Sequence, residues 1–166
     1  MKIIFLDIDG VLNNEVHYIK QLKAEIKQYW GPDGLDEDNI KVLNAIIEKT
    51  GAKVVLSSSW RLHFKLDEIE SFLKEKGFKY TIFAKTTSYI GVGCSRGDEI
   101  KLWVNEWNQD IEYVKDNDAV THFVAFDDID DMEVIKENFV LIDDDLGLTE
   151  DYLPKIYNIL GIYDLS

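Results

Sequence analysis

A single cysteine, two prolines and no long apolar run mark this chain of 166 residues. Cys94 alone can form no internal disulfide and cannot supply a cysteine-rich zinc site, so it is read as a bystander thiol. Pro32 and Pro154 define no linker, and no repeat or low-complexity stretch is visible, so one domain over residues 1–166 is expected. The apolar runs, Ile3 to Leu6 and Val54 to Leu56 among them, fall far short of a membrane-spanning helix. Met1 leads straight into a strand-like segment without a signal-peptide pattern, so a cytoplasmic protein with no membrane partner is expected. Positive charge is also scarce: 18 Lys and Arg stand against 32 Asp and Glu, for a net charge of −14. Such a surface repels a nucleic-acid backbone at long range, which argues against nonspecific binding but leaves room for a nucleic-acid end held in a local pocket. The three histidines, His17, His63 and His122, lack metal-ligand spacing and are read as surface or packing residues.

What the chain does contain is enough apolar material for a core, since 46% of its residues are hydrophobic. Runs of strand length, rich in Val, Ile or Phe, recur at Lys2–Leu6, Lys53–Leu56, Tyr80–Phe83, Phe123–Phe126 and Phe139–Ile142. Between them lie helical patterns, with Ile40, Leu43, Ile46 and Ile47 on one face, then Leu66, Ile69, Phe72 and Leu73, then Ile100, Trp103, Val104 and Trp107. That spacing makes the aromatics core residues first. Strands that are apolar along their length and alternate with helices predict an α/β fold, a doubly wound, three-layer parallel sheet. Two connections are longer than simple turns. Asn13 to Gly34 holds a mixed helical stretch, Glu15 to Tyr29, closed by Trp30-Gly31-Pro32-Asp33-Gly34, and is a candidate flap or minimal cap. Lys85 to Arg96 is rich in Gly, Ser and Thr and reads as a loop leading into a helix.

The chemistry is concentrated at strand ends. Phe5-Leu6-Asp7-Ile8-Asp9-Gly10 places two aspartates at i and i+2 just beyond a buried run, where Asp is a poor strand residue. In extended backbone both carboxylates point the same way, and Gly10 permits a sharp exit. Adjacent carboxylates repel each other, a cost that a divalent cation relieves. The second run ends in Ser57-Ser58-Ser59-Trp60-Arg61, hydroxyls and N–H groups at the start of an expected helix, which suits an anion and equally suits an ordinary helix cap. The fourth ends in Asp127-Asp128-Ile129-Asp130-Asp131, and the fifth in Asp143-Asp144-Asp145, read mainly as a solvated exit with at most one carboxylate in an outer shell. If strands one to three run outward in order and the fourth returns beside the first, Asp7 meets Asp127 or Asp128 at the switch point of the sheet, where such folds bind ligands.

The Asp-x-Asp-Gly-Val-Leu motif at Asp7, the serines after strand two, a basic residue before strand four and the Asp pair after it resemble the haloacid dehalogenase (HAD) superfamily of phosphatases. Together these motifs span Asp7 to Asp128. Val54 to Arg61 and Arg96-Gly97-Asp98-Glu99-Ile100 look like the small HAD domains associated with Swiss-Army-knife RNA repair proteins. The resemblance implies a HAD-like Rossmannoid fold and a Mg²⁺-dependent phosphomonoester hydrolase. It makes Asp7 the nucleophile and Asp9 the general acid/base. It assigns Mg²⁺ to the Asp7 carboxylate, the Asp9 backbone carbonyl and one of Asp127 and Asp128, with Asp128 favoured. Ser57 or Ser58 would bind the transferring phosphoryl group, and Arg96 would neutralise it. The family more often uses Lys for that last role, which keeps Lys101 as the alternative. The implied substrate is a phosphorylated small molecule or a phosphorylated nucleic-acid end. Rival readings are a phosphotransferase or phosphomutase of the same superfamily, and a non-catalytic phosphoacceptor or metal-binding module. A receiver-type module resembles a pattern with its phosphorylated Asp after strand three, whereas strand three here ends at Phe83-Ala84-Lys85.

Overall fold

The computed structural model describes residues 1–24, 32–89, 91, 93–109 and 119–163. Its centre is β1, Lys2–Leu6, whose last four residues are all buried. Successive side chains of a strand point to opposite faces, and β1 uses both: Ile4 and Leu6 enter one apolar core while Ile3 and Phe5 enter another. A strand buried on both faces must have helices on both sides. The first core is closed by α2 (Glu37–Thr50), α3 (Leu66–Glu75) and α5 (Leu153–Ile159), the second by α4 (Arg96–Gln109). The expected face of α2 is buried at Ile40, Leu43, Ile46 and Ile47. That helix starts where the Asp36 side chain accepts the Asp38 N–H and stops at Gly51, whose φ of 66° lets its N–H close on the Ile47 carbonyl. On α4, Trp103 meets Phe5 edge-on at 5.4 Å and stacks on Trp107 at 5.3 Å, so these aromatics are packing residues, as their spacing indicates.

The five parallel strands β1, β2 (Lys53–Leu56), β3 (Ile82–Lys85), β4 (His122–Asp127) and β5 (Phe139–Leu141) lie in the order β3-β2-β1-β4-β5. The chain builds outward from β1 to β3 and then crosses back to place β4 beside β1, which meets the condition for bringing Asp7 beside Asp127 and Asp128. In register, Leu6 faces Leu56 on one side and Phe126 on the other. Asp7, Ser57 and Asp127 therefore leave the sheet at one level, at the switch point. The ladder carries on for one more rung there: the Asp7 N–H donates to the Phe126 carbonyl at 3.1 Å and the Ser57 N–H to the Leu6 carbonyl at 3.0 Å.

Two expected elements differ in extent by more than one residue at an end. The third strand, expected over Tyr80–Phe83, runs over Ile82–Lys85. Tyr80 instead packs with Phe78 at 6.1 Å against the first core, pairing with β2 begins at Ile82, and the Ile82 N–H is taken by Glu70 Oε2 at 2.8 Å. The helix expected over Glu15 to Tyr29 forms as α1, Glu15–Lys23; residues 25–31 of that stretch, Trp30 and Gly31 included, lie outside the described residues, as do Ile90 and Val92 of the loop before α4. The start of α1 rests on the β5 exit, where the Asp144 and Asp145 carbonyls accept the N–H groups of Glu15 and Val16 at 3.1 Å each. No helix among the described residues is long and apolar enough to cross a membrane.

Candidate active site

Asp7 stands one residue beyond β1 and is 4% exposed. Its neighbours across the β1/β4 gap are Asp127, fully buried, and the half-buried Asp128; one carboxylate oxygen of each of the three lies within 4.8 Å of the others. Burial is the first reason that Asp7 is pushed above the ordinary carboxylate range, although the Arg96 guanidinium beside it pulls the other way. Burial, followed by the charge of Asp7, pushes Asp127 up to about 8. Asp128 is raised as well, again mainly by burial. Asp127 Oδ1 accepts the Ile129 N–H at 3.0 Å, while its buried Oδ2 has no hydrogen-bond partner among the described residues and faces Arg96 Nη1 at 3.3 Å. Three carboxylates crowded in this way form an all-oxygen set of the kind a hard divalent cation takes.

Gly10 makes the crowding possible. It turns the chain at φ +69°, and a Cβ there would lie 2.6 Å from Asp128 Cγ. Between the two aspartates of the motif, Ile8 is buried in the core. Asp9 is bound at both oxygens: Asn13 Nδ2 donates to Oδ1 at 2.8 Å and the Trp60 indole Nε1–H donates to Oδ2 at 2.9 Å. A pocket of about 200 Å³ opens beside it, lined by Asp9, Gly10, Asn13, Asn14, Glu15, Asp128 and Asp144.

Arg96 is the first residue of α4, and its Nη1 donates to Asp7 Oδ1 at 3.1 Å and to the Ser57 carbonyl at 3.0 Å, with Asp127 Oδ2 at 3.3 Å. Gly97 lets the helix start this close, since a Cβ there would come within 3.1 Å of the Met132 backbone. Lys101, the alternative cation, is exposed farther along α4. Ser57 and Ser58 are both fully buried. The Ser58 hydroxyl accepts the Trp60 N–H at 3.3 Å, whereas the Ser57 Oγ has no hydrogen-bond partner among the described residues. The segment after the serines is a 3₁₀ turn, Ser59–Leu62, and α3 begins only at Leu66. The reason is Arg61, which takes the carbonyl of Ser58 with both its backbone N–H, at 3.2 Å, and its guanidinium, at 2.6 Å. That carbonyl is thereby withdrawn from α-helical pairing.

The same Arg61 is a site residue that the sequence did not disclose. Its guanidinium also donates to the carbonyls of Ser57 and, at 3.2 Å, Thr86, and it forms a buried ion pair with Glu99 at 2.5 Å. Glu99 in turn accepts the Tyr89 N–H at 2.7 Å. One buried ion pair thus ties the exits of β2 and β3 to the first turn of α4, which carries Arg96. The only signal in the sequence was an Arg directly after a serine-rich strand exit. Arg61→Met leaves Glu99 charged and unpaired, so it is expected to cost about 3–5 kcal/mol of stability; a urea midpoint indistinguishable from the parent protein would contradict this.

The remaining acidic cluster, Asp143, Asp144 and Asp145, is exposed, as expected of a solvated exit. Among the described residues neither metal-capable cluster contains a histidine, and Cys94 is exposed. A family model described as the HAD domain in Swiss Army Knife RNA repair proteins matches residues 3–153. No curated protein and no solved structure gives a significant match.

Proposed function

Because this chain belongs to the family of HAD domains in Swiss Army Knife RNA repair proteins, we propose that it is a Mg²⁺-dependent phosphomonoester hydrolase that works through an aspartyl-phosphate on Asp7. The observation that supports this most directly is the placement of one buried carboxylate, Asp7, both among Asp127 and Asp128 and in an ion pair with Arg96. A nucleophile for phosphorus needs such a setting. Cationic groups gather the phosphoryl oxygens, and the attacking carboxylate is kept dry and aimed.

The residues fit Mg²⁺: the carboxylates of Asp7, Asp127 and Asp128 are hard oxygen donors that would hold it, and in this reading the Asp9 backbone carbonyl would be a further ligand. Bound there, the ion supplies positive charge to the phosphoryl oxygens and relieves the repulsion among the carboxylates. In the first step an Asp7 oxygen bonds to phosphorus as the ester P–O bond breaks, and the leaving oxygen takes a proton from Asp9. In the second, Asp9 takes a proton from water, whose oxygen bonds to phosphorus as the Asp7–phosphate bond breaks. Inorganic phosphate leaves and both aspartates are restored. The Ser58 hydroxyl is taken up by the 3₁₀ turn, so the Ser57 hydroxyl, without a partner among the described residues, is the donor for the phosphoryl group. Arg96 rather than Lys101 is the neutralising cation, on its contact with Asp7.

The substrate we propose is a phosphorylated nucleic-acid end, on the family's association with RNA repair; a phosphorylated metabolite is the alternative. EDTA is expected to abolish release of phosphate from an aryl phosphate, and Mg²⁺ to restore it and to raise the melting temperature by binding the folded state, a gain of ~2.7 kcal/mol at a hundredfold excess over Kd. Full activity in a sample shown to be metal-free would sink the mechanism. Release of free phosphate with water as the sole acceptor separates a hydrolase from a phosphotransferase. Oligonucleotides phosphorylated at either end, screened beside phosphorylated metabolites, identify the substrate class.

A further inference from the structure

We infer that Trp60 is the positioning residue of Asp9, and that the loop after β2 therefore sets the direction of the acid/base carboxylate as well as holding the phosphoryl group. This rests on the role proposed above for Asp9. An aspartate in a turn has a short side chain with two free torsions. A group that must meet first a leaving oxygen and then a water has to be held still.

The two donors on Asp9 differ in what they can fix. Asn13 belongs to the same turn: its Oδ1 accepts the Gly10 N–H at 2.8 Å while its Nδ2 reaches Asp9 Oδ1 at 2.8 Å. It ties the carboxylate to the local backbone and moves with it. Trp60 comes from a different strand exit, and its Nε1–H reaches Asp9 Oδ2 at 2.9 Å. An indole N–H can only donate, so it selects a carboxylate oxygen and nothing else.

The indole itself has little freedom. Trp60 is 6% exposed, its ring packs on Phe64 at 5.6 Å, and Phe64 packs on Phe72 at 5.4 Å. Its backbone N–H is bound by the Ser58 hydroxyl at 3.3 Å, and the next residue is the clamped Arg61. Trp60 thus relates Asp9 to the serine-bearing exit of β2 through buried contacts, from Asp9 Oδ2 at its indole to the Ser58 hydroxyl at its backbone. Apolar packing alone would account for the ring, but it does not account for the direction of the N–H.

The test compares Trp60→Phe, which keeps a ring and removes the donor, with Phe64→Leu, which loosens the ring packing and keeps the donor. An alkyl phosphate with a poor leaving group depends on Asp9 more than an aryl phosphate does. Trp60→Phe is expected to lower kcat on the alkyl ester by ~10- to 100-fold with KM unchanged, to lower it less on the aryl ester, and Phe64→Leu to leave the ratio of the two alone. Equal losses on both esters, or the same change of ratio in Phe64→Leu, would overturn the inference. A second readout needs neither metal nor turnover. In the metal-free protein the indole N–H resonance of Trp60, identified by its loss in Trp60→Phe, is expected to move upfield in Asp9→Asn, because an amide oxygen is a weaker acceptor than a carboxylate. A resonance unmoved by Asp9→Asn would overturn the contact itself. An enzyme inactive on every ester with the resonance shifted as expected would instead count against the proposed reaction and not against the contact.

Discussion

Asp7→Asn is expected to abolish turnover, by ~10⁴-fold or more, the scale on which removal of a nucleophile is felt. The amide oxygen is a poor nucleophile, and the variant loses one of the three carboxylates that gather the ion. Excess Mg²⁺ should not restore activity, because restoring the ion does not restore the attacking group. The fold should survive, since Arg96 keeps the Ser57 carbonyl at 3.0 Å and Asp127 at 3.3 Å. A cooperative thermal transition retained in the metal-free protein, together with lost phosphate release, is the expected pair of results. Residual activity close to that of the parent enzyme would mean that phosphorus is attacked by something else, water included.

Asp9→Asn is expected to behave differently, with a loss of ~10²- to 10⁴-fold set by its acid/base role. Its contact with the ion is through the backbone in this reading, so the Mg²⁺-induced rise in melting temperature should remain. The loss should also depend on the ester. A good leaving group needs little protonation, so an aryl phosphate can still transfer its phosphoryl group to Asp7, while the water that should remove it goes unactivated. Phosphoenzyme should then accumulate in Asp9→Asn and never in Asp7→Asn. Equal rates of release from the parent and Asp9→Asn proteins would remove Asp9 from the mechanism.

How far the sequence speaks for itself depends on how local the signal is. The five strands were legible because a run of Val, Ile and Phe buried on both faces leaves few alternatives, whereas their order entered only as a condition, since a right-handed connection fixes the face its helix covers and not the edge that takes the next strand. The juxtaposition of Asp7 with Asp127 and Asp128 follows from that order plus register. What the sequence did not disclose are contacts set by side-chain direction between distant loops. The ion pair of Arg61 with Glu99 and the bond from Trp60 to Asp9 join residues 38 and 51 positions apart. Neither has a period or a spacing of its own, and in the chain Trp60 reads only as one more apolar aromatic. The missed 3₁₀ turn has the same origin, since Arg61 reaches back to the carbonyls that an α-helix would have used. The shift of β3 is milder: at the sheet edge only one side pairs, so the run of apolar residues constrains its ends less than in a central strand.

The central claim is that phosphate passes through a covalent bond to Asp7, and peptide mapping by mass spectrometry tests it most directly. Asp9→Asn protein is mixed with an aryl phosphate and Mg²⁺, quenched in acid within the first turnovers, digested and mapped. The account predicts the mass of one phosphoryl group on the peptide that contains Asp7, absent when Mg²⁺ is withheld and absent from a protein that also carries Asp7→Asn. A phosphoryl group on Ser57 or Ser58 instead, or its persistence in the double variant, would contradict it.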